Sequence, residues 1–179
     1  MAPNSTIFRV ALSVADVTRG YYQEHSLVVA RHPSETDFRM LVRIVVFALH
    51  AEEHLAFGKG LSSPDEPDIW LKDLTGQVQH WIDLGQPTEK RIRQACGKAG
   101  HVTVYAFQKG AALPWFQELG KQLERFDHLS VILLDNLVEK NFVKILNRTM
   151  NLSCTIDGDQ IQVSDEVNHF VIEIVRLKA

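Results

Sequence analysis

Two short apolar segments, each carrying one aspartate, constrain the fold of this 179-residue chain more than any other feature. Segments 67–71 and 80–85 are rich in β-favouring residues, and the turn residues Thr75-Gly76 between them predict an antiparallel hairpin. A carboxylate in an apolar strand is costly to desolvate unless it is paired, and Asp68 and Asp83 brought together would repel each other. A bound Mg²⁺ ion would relieve that repulsion. The alternative is that each aspartate lies at a strand end and faces water or an arginine.

A helix predicted over residues 35–54 is apolar nearly all round in its middle, which indicates burial against a sheet. Four polar residues share one face of this helix by their spacing: Arg39, Arg43, His50 and Glu53. Such a stripe indicates either a solvated cleft or a salt-bridge network. His50 and His54 also have the i,i+4 spacing of a zinc pair, but Ala51 replaces the glutamate of the metalloprotease motif, so a solvated pair is favoured.

A second helix, basic on its exposed side, is predicted after Gly85 with Thr88 or Gln86 as its N-cap. Its predicted core face consists of Ile92, Ala95, Cys96 and Ala99, and its other side of Lys90, Arg91, Arg93, Gln94 and Lys98. Cations one turn after an acidic strand end would suit phosphate binding beside a metal ion. They would equally suit an ordinary solvated helix surface.

The rest of the chain alternates between strand and helix patterns. Period-2 alternation predicts strands over 8–14 and 150–156, and Asp157-Gly158 predicts a hairpin. The other predicted elements are strands at 21–30, 55–61, 102–107, 129–134, 161–163 and 170–177, and helices at 113–126 and 136–146. With 45% hydrophobic residues the chain can bury a core, most simply as one domain over residues 1–179.

Charge and cysteine content narrow the class of protein. A net charge of −3 excludes a constitutively basic coat protein, so any nucleic-acid contact requires a local patch. Cys96 and Cys154 form no CxxC pair, which fits a reducing compartment. Residues 1–17 lack a targeting signal, and no apolar run approaches the roughly 20 residues of a membrane span. We therefore expect a cytoplasmic protein without a membrane segment.

Taken in order, the buried helix, three short strands, basic helix and strand resemble the core of the PD-(D/E)XK nuclease fold. Pro67-Asp68 and Asp83-Leu84-Gly85 resemble its signature. The whole chain also resembles the bacterial YaeQ family, whose fold is of this restriction-endonuclease-like type. The segments that carry this second resemblance are 30–36, 65–67 with Trp70, 81–85 with Pro87, and 148–150. The resemblance implies a mixed α/β fold with a helix, three-strand antiparallel meander, helix and strand, to which N-terminal and C-terminal β-hairpins are added.

The resemblance also implies a set of site residues. Asp68 and Asp83 would be the metal-binding carboxylates, with the Leu84 carbonyl as a further ligand and Glu53 or Glu52 from the first helix completing the shell. Gly85 occupies the position of the motif lysine. In relatives of this fold the positive charge can come from the following helix, which here offers Lys90, Arg91, Arg93 and Lys98.

Three functions follow as expectations. The first is a Mg²⁺-dependent nuclease or phosphodiesterase in which Asp68 and Asp83 hold the ion and Lys90 or Arg91 stabilises the transition state. Proton transfer could then come from His50, His54, His80 or His101. The second is a catalytically inactive scaffold that binds nucleic acid or a transcription-associated protein. The third is a metabolic enzyme acting on a small phosphorylated substrate.

Overall fold

A computed structural model describes residues 4–179; residues 1–3, the start of the segment searched for a targeting signal, lie outside the described part. The described chain is a mixed α/β fold that divides into two compact units. The first contains residues 4–51 and 136–173, and the second contains residues 52–135 and 174–179. The prediction of a single domain stays a prediction.

The first unit contains five neighbouring strands in the order β2-β1-β8-β9-β10, of which β10 continues beyond the unit from Ile174. Their bounds are β1 Thr6–Asp16, β2 Tyr21–Arg31, β8 Thr149–Asp157, β9 Gln160–Ser164 and β10 His169–Lys178. All neighbours are antiparallel except β1 and β8, which are parallel. The inner side chains of β1 are Phe8, Val10, Leu12 and Val14, all buried, as the alternation predicts. The hairpin predicted at Asp157-Gly158 is confirmed, and residues 17–20 form the turn of a second hairpin between β1 and β2.

Helix α1, Asp37–Leu49, is buried on nearly every side and packs on β1 and β8, which confirms the predicted buried helix. Thr36 caps its N-terminus by accepting a hydrogen bond from the Arg39 N–H at 3.1 Å. The helix ends at Leu49, five residues before the predicted end at His54. Arg19, from the β1–β2 turn, donates to the carbonyl oxygens of Ala48 and Ala51 and so satisfies the helix end from outside.

The predicted helix over 136–146 is also shorter. It reduces to α4, Glu139–Phe142, followed by a 3₁₀ turn at Val143–Ile145. A four-residue helix gains little from its own hydrogen bonds, so its position depends on tertiary packing. Phe142 supplies that packing, since it is fully buried and meets Phe170 edge to face with ring centroids 5.2 Å apart.

The second unit has the strand order β3-β4-β5-β6-β7. Its strands are β3 Leu55–Phe57, β4 Ile69–Lys72, β5 Val78–Leu84, β6 His101–Ala106 and β7 Leu129–Asp135. β3, β4 and β5 form an antiparallel meander, whereas β5, β6 and β7 run parallel. The predicted carboxylate hairpin is therefore confirmed. The predicted first strand over 55–61 is shorter, because a 3₁₀ turn replaces it from Gly60.

Two helices, α2 (Glu89–Lys98) and α3 (Lys109–Leu123), cover one face of the strands of this unit. Thr88 caps α2 by accepting from the Arg91 N–H at 3.2 Å, as predicted. The core beneath the helices includes Ile92, Ala95, Trp81, Val102, Val104, Leu123, Leu129 and Val131. Across residues 4–179, no helix has the length and apolar character needed to cross a membrane.

Candidate functional site

Asp68 and Asp83 lie on neighbouring strands of the second unit, as the hairpin predicts. The β4–β5 register pairs Ile69 with Ile82, and one step further places Asp68 across from Asp83. Each residue is only 3% exposed. Asp83 is on the same face of β5 as Trp81, which packs under α2, so this face is the one that α2 covers. By this register the two predicted aspartates lie opposite each other where the hairpin joins the loop before β4, and both are buried.

Arg91 donates hydrogen bonds to both carboxylate oxygens of Asp83. Its Nε lies 2.8 Å from Oδ2 and its Nη2 lies 3.0 Å from Oδ1, which is a bidentate pair. The same guanidinium donates to the carbonyl oxygens of Pro64 at 3.1 Å and Glu66 at 3.0 Å. Of the four cations offered by the sequence, Arg91 is thus the one at the carboxylates. It ties α2, β5 and the loop before β4 together.

Asp68 has a structural partner of its own. Its Oδ2 accepts a hydrogen bond from the Leu84 N–H at 2.9 Å, which joins the start of β4 to the end of β5. Gly60 lies against the other oxygen, since a Cβ built on Gly60 would be 2.5 Å from Asp68 Oδ1. Gly60 also has a φ of +50°. Both the space and the backbone conformation therefore require glycine beside this carboxylate.

The third metal ligand predicted from the first helix does not join this pair. Glu52 and Glu53 follow the end of α1 and are exposed. Within residues 4–179, no three His, Cys, Asp or Glu side chains are grouped closely enough to hold a metal ion. The prediction that Glu53 lies on the polar face of α1 is wrong, because the helix ends at Leu49. His54 lies beyond that end as well, so His50 and His54 do not share a helix face.

Gly85 shows why the motif lysine has no direct replacement. Its φ is +94°, a left-handed conformation that side chains other than glycine rarely adopt. Its N–H donates to the Tyr105 carbonyl at 2.8 Å, which holds this bend at the end of β5. The space around it is open. A lysine at this position would therefore strain the backbone, although no neighbouring atom would clash with its side chain.

The other cations of α2 point outward and are partly neutralised by acids. Lys90, Arg93 and Lys98 are exposed. Arg93 lies 3.3 Å from Glu89, and Lys98 Nζ lies 3.7 Å from Asp65 Oδ1. Arg125 at the end of α3 also binds Glu89, at 2.6 Å. Sequence reasoning missed Arg125, because nothing in the local pattern brings the end of α3 to the start of α2.

The polar stripe on α1 is a salt-bridge network, which decides between the two predicted alternatives. Glu35 is 4% exposed and accepts from both Arg39 and Arg43. Arg43 reaches both oxygens of Glu35 and also donates to the Ala30 carbonyl at 2.8 Å. The cluster joins α1 to the end of β2, so its role is to hold these elements together.

Two histidines form a polar pair on the face of the second unit's strands that lies opposite α2. His80 is three residues before Asp83 in β5, so its side chain points away from α2. Its ring centroid is 4.9 Å from that of His101, its register partner on β6, and its Nε2 is 2.8 Å from Thr103 Oγ1. Burial, together with the smaller effect of the neighbouring His101, lowers the pKa of His80 from 6.5 to about 4. Burial also lowers the pKa of His101. Neither histidine lies on the carboxylate face.

Comparison with known proteins identifies relatives along almost the full length. The uncharacterized protein YaeQ of Salmonella typhi is 37% identical over 174 residues, 97% of this chain and 96% of the relative. Its counterpart in Escherichia coli K12 is 36% identical over the same shares. The crystal structure of YaeQ from Xanthomonas axonopodis pv. citri has a TM-score of 0.93 at 37% identity, covering 98% of this chain and 99% of that one. YaeQ from Pseudomonas syringae has a TM-score of 0.90 at 27% identity, with 98% and 97% covered.

A protein-family model identifies the same family as these relatives do. Residues 1–174 match the model described as YaeQ protein. The match includes both aspartates and Arg91, and only residues 175–179 of the described chain lie outside it. By sequence and by fold, the chain belongs to the YaeQ family.

Proposed function

We propose that the chain is a nuclease-like scaffold that binds nucleic acid without metal-dependent turnover at Asp68 and Asp83. One observation carries the proposal: both oxygens of Asp83 are held by Arg91, which also holds the backbone of the loop at Pro64 and Glu66. The carboxylates are satisfied by protein donors and are buried under this loop. Their chemistry is that of a structural clamp.

The order of elements in the second unit supports a restriction-endonuclease-like core. The antiparallel meander β3-β4-β5 is followed by α2 and by the parallel strand β6. This is the sequence of elements that the resemblance implies after the first helix. Fold and chemistry are separate matters, however, because one scaffold can serve several activities.

A metal ion at this position would have to displace Arg91. Removing one partner of a buried ion pair costs about 3–5 kcal/mol, because the other charge remains unpaired. The carbonyl oxygens of Pro64 and Glu66 would lose a donor at the same time. A cost of that size weakens metal binding by about two to four orders of magnitude.

The nucleic-acid side of the proposal depends on the exposed cations where α2 begins and α3 ends. Arg93 and Arg125 both pair with Glu89, and exposed Lys90 follows it in α2, so these four residues carry a net charge of +2. This patch contrasts with the overall charge of −3. With about three phosphate contacts, the logarithm of affinity should fall with the logarithm of salt concentration with a slope of about −2 to −3.

A Mg²⁺-dependent phosphodiesterase is the second candidate function. It is favoured by the facing of Asp68 and Asp83 on one side of adjacent strands, with a cation from α2 beside them. Mg²⁺ is commonly held by one or two carboxylates, with water and substrate phosphate completing its shell. For this activity the Arg91 clamp would have to open when metal and substrate bind.

Calorimetry and a cleavage assay distinguish the two candidates. Wild type and Asp83→Asn are titrated with Mg²⁺ or Mn²⁺, with and without a single-stranded oligonucleotide, and Asp127→Asn is the exposed control. The scaffold proposal expects oligonucleotide binding that needs no metal, and no cleavage by any variant. Metal-dependent cleavage by wild type that is lost only in Asp83→Asn would establish the second candidate instead.

A charge-reversal pair tests the patch itself. Lys90→Glu/Arg93→Glu should abolish most oligonucleotide binding and flatten its salt dependence. Lys59→Glu/Lys140→Glu makes the same change in net charge at exposed lysines elsewhere and should have a much smaller effect. Equal losses in both double variants would show that only net charge matters.

A further inference from the structure

Trp70 belongs to an aromatic and cationic surface of the second unit that the Arg91 clamp does not use. The register of β4 with β5 places Trp70 opposite Trp81, so both side chains lie on the face that α2 covers. Their rings meet edge to face with centroids 6.4 Å apart, and Trp81 is buried whereas Trp70 is partly exposed. On the other side of Trp70, β3 places the small, exposed side chain of Ala56 opposite it. The Trp70 indole is therefore partly accessible beside α2.

Lys72 lies over the Trp70 ring. Its Nζ is 3.6 Å from the ring centroid, which is a cation–π contact. The lysine is exposed, and no carboxylate of the described part of the chain forms an ion pair with it. The carboxylate of Asp73, which follows it, accepts hydrogen bonds from the N–H groups of its own turn, at Thr75 and Gln77. Lys72 is thus an uncompensated cation on the face of an aromatic ring.

A row of polar side chains along α2 connects this surface to the exposed cations at the start of the helix. Lys90, Gln94 and Lys98 are spaced four residues apart, so they follow one ridge of α2, and all three are exposed. The ridge is about 12 Å long, or about two turns. At its end, Lys98 Nζ lies 5.8 Å from the centroid of the Trp81 ring. Its pairing with the exposed Asp65 at 3.7 Å is a weak surface contact.

We propose that the nucleic acid bound by this scaffold is single-stranded and that one of its bases stacks on Trp70. This inference rests on the proposed function and adds to it the class of nucleic acid. The base takes the place of the Lys72 ammonium on the ring, Lys72 turns to a neighbouring phosphate, and the backbone follows the ridge from Lys98 to Lys90. A stacked base contributes about 5- to 150-fold in affinity, whereas an exposed cation–π contact contributes about two- to fivefold, so the exchange is favourable. The bases of a duplex are already stacked on one another and present no free face to the ring.

Fluorescence anisotropy with a labelled oligothymidylate of about 12 nucleotides, compared with a duplex of the same length, tests this inference. Wild type should prefer the single strand. Trp70→Leu should weaken single-strand binding by about 5- to 150-fold and leave its salt dependence unchanged, because stacking releases no counterions. Lys72→Gln should instead reduce the slope of the logarithm of affinity against the logarithm of salt concentration by about one. Tyr22→Leu, at an exposed aromatic residue of the first unit, is the matched control and should bind as wild type does.

A measurement of tryptophan emission guards against a folding defect in Trp70→Leu. A base stacked on an indole quenches its fluorescence, so the single strand should quench wild type and should quench Trp70→Phe much less. Trp70→Phe keeps an aromatic face and should retain most of the affinity. Binding that needs Lys90 and Arg93 but is unchanged in Trp70→Leu would overturn the inference and leave the proposed function standing, as would equal affinity for single strand and duplex. An absence of oligonucleotide binding by wild type would overturn both.

Discussion

Acid should destabilise this protein through His80, whose neutral ring is buried against Thr103 and His101. Its pKa falls from 6.5 to about 4 on folding, so the unfolded chain takes up this proton first as pH drops. Stability is therefore complete above about pH 6.5 and is lost between about pH 6.5 and 4. With about 1.36 kcal/mol per pKa unit, the full loss is about 3 kcal/mol, and at pH 5 it is about 2 kcal/mol.

Urea denaturation of wild type and His80→Gln at pH 7.5, 6 and 5 measures this effect. Glutamine keeps a side-chain amide for Thr103 but cannot be protonated, so its free energy of unfolding should fall by about 2 kcal/mol less than that of wild type between pH 7.5 and 5. His54→Gln, at an exposed position, should behave as wild type does. Parallel pH profiles for wild type and His80→Gln would refute the reasoning, because other groups would then account for the acid sensitivity.

Three further outcomes are expected. Arg91→Ala should lower the free energy of unfolding by about 3–5 kcal/mol, because it leaves a buried aspartate unpaired, whereas Arg93→Ala on the surface should cost less than about 1 kcal/mol by the same urea titration. Gly85→Ala should destabilise by about 1–2 kcal/mol through its φ of +94°, whereas Gly97→Ala within α2 should be neutral or stabilising in thermal melts. Burial raises the pKa of the Cys154 thiol to about 12, so alkylation at pH 8 should proceed only after unfolding, as mass spectrometry would show. Rapid labelling of the folded chain would contradict this last expectation.

Local chemistry made much of the fold predictable. The hairpin at Asp157-Gly158 and the Thr88 cap depend on residues a few positions apart, and both are confirmed. The facing of Asp68 and Asp83 was also predictable, because one turn fixes the register of both strands. Each of these features is decided within about twenty residues of sequence.

The features that sequence reasoning missed depend on distant partners. Arg19, about 30 residues earlier in the sequence, stabilises the end of α1. Its guanidinium donates hydrogen bonds to the carbonyl oxygens of Ala48 and Ala51. The choice of Arg91 among the cations of α2 depends on which face of β5 the helix covers. The pairing of His80 with His101 depends on the parallel register of β5 and β6, which no local turn defines.

The parallel pairing of β1 with β8 has a consequence for synthesis on the ribosome. Arg9 pairs with Thr149, so a strand made among the first residues waits for one made 140 positions later. During that interval β1 can pair with β2, and α1, which follows directly, can cover the apolar side chains of the hairpin. Pairings so far apart in sequence slow folding. We therefore expect the nascent chain to remain incomplete, and dependent on protection from aggregation, until about residue 157 has left the exit tunnel.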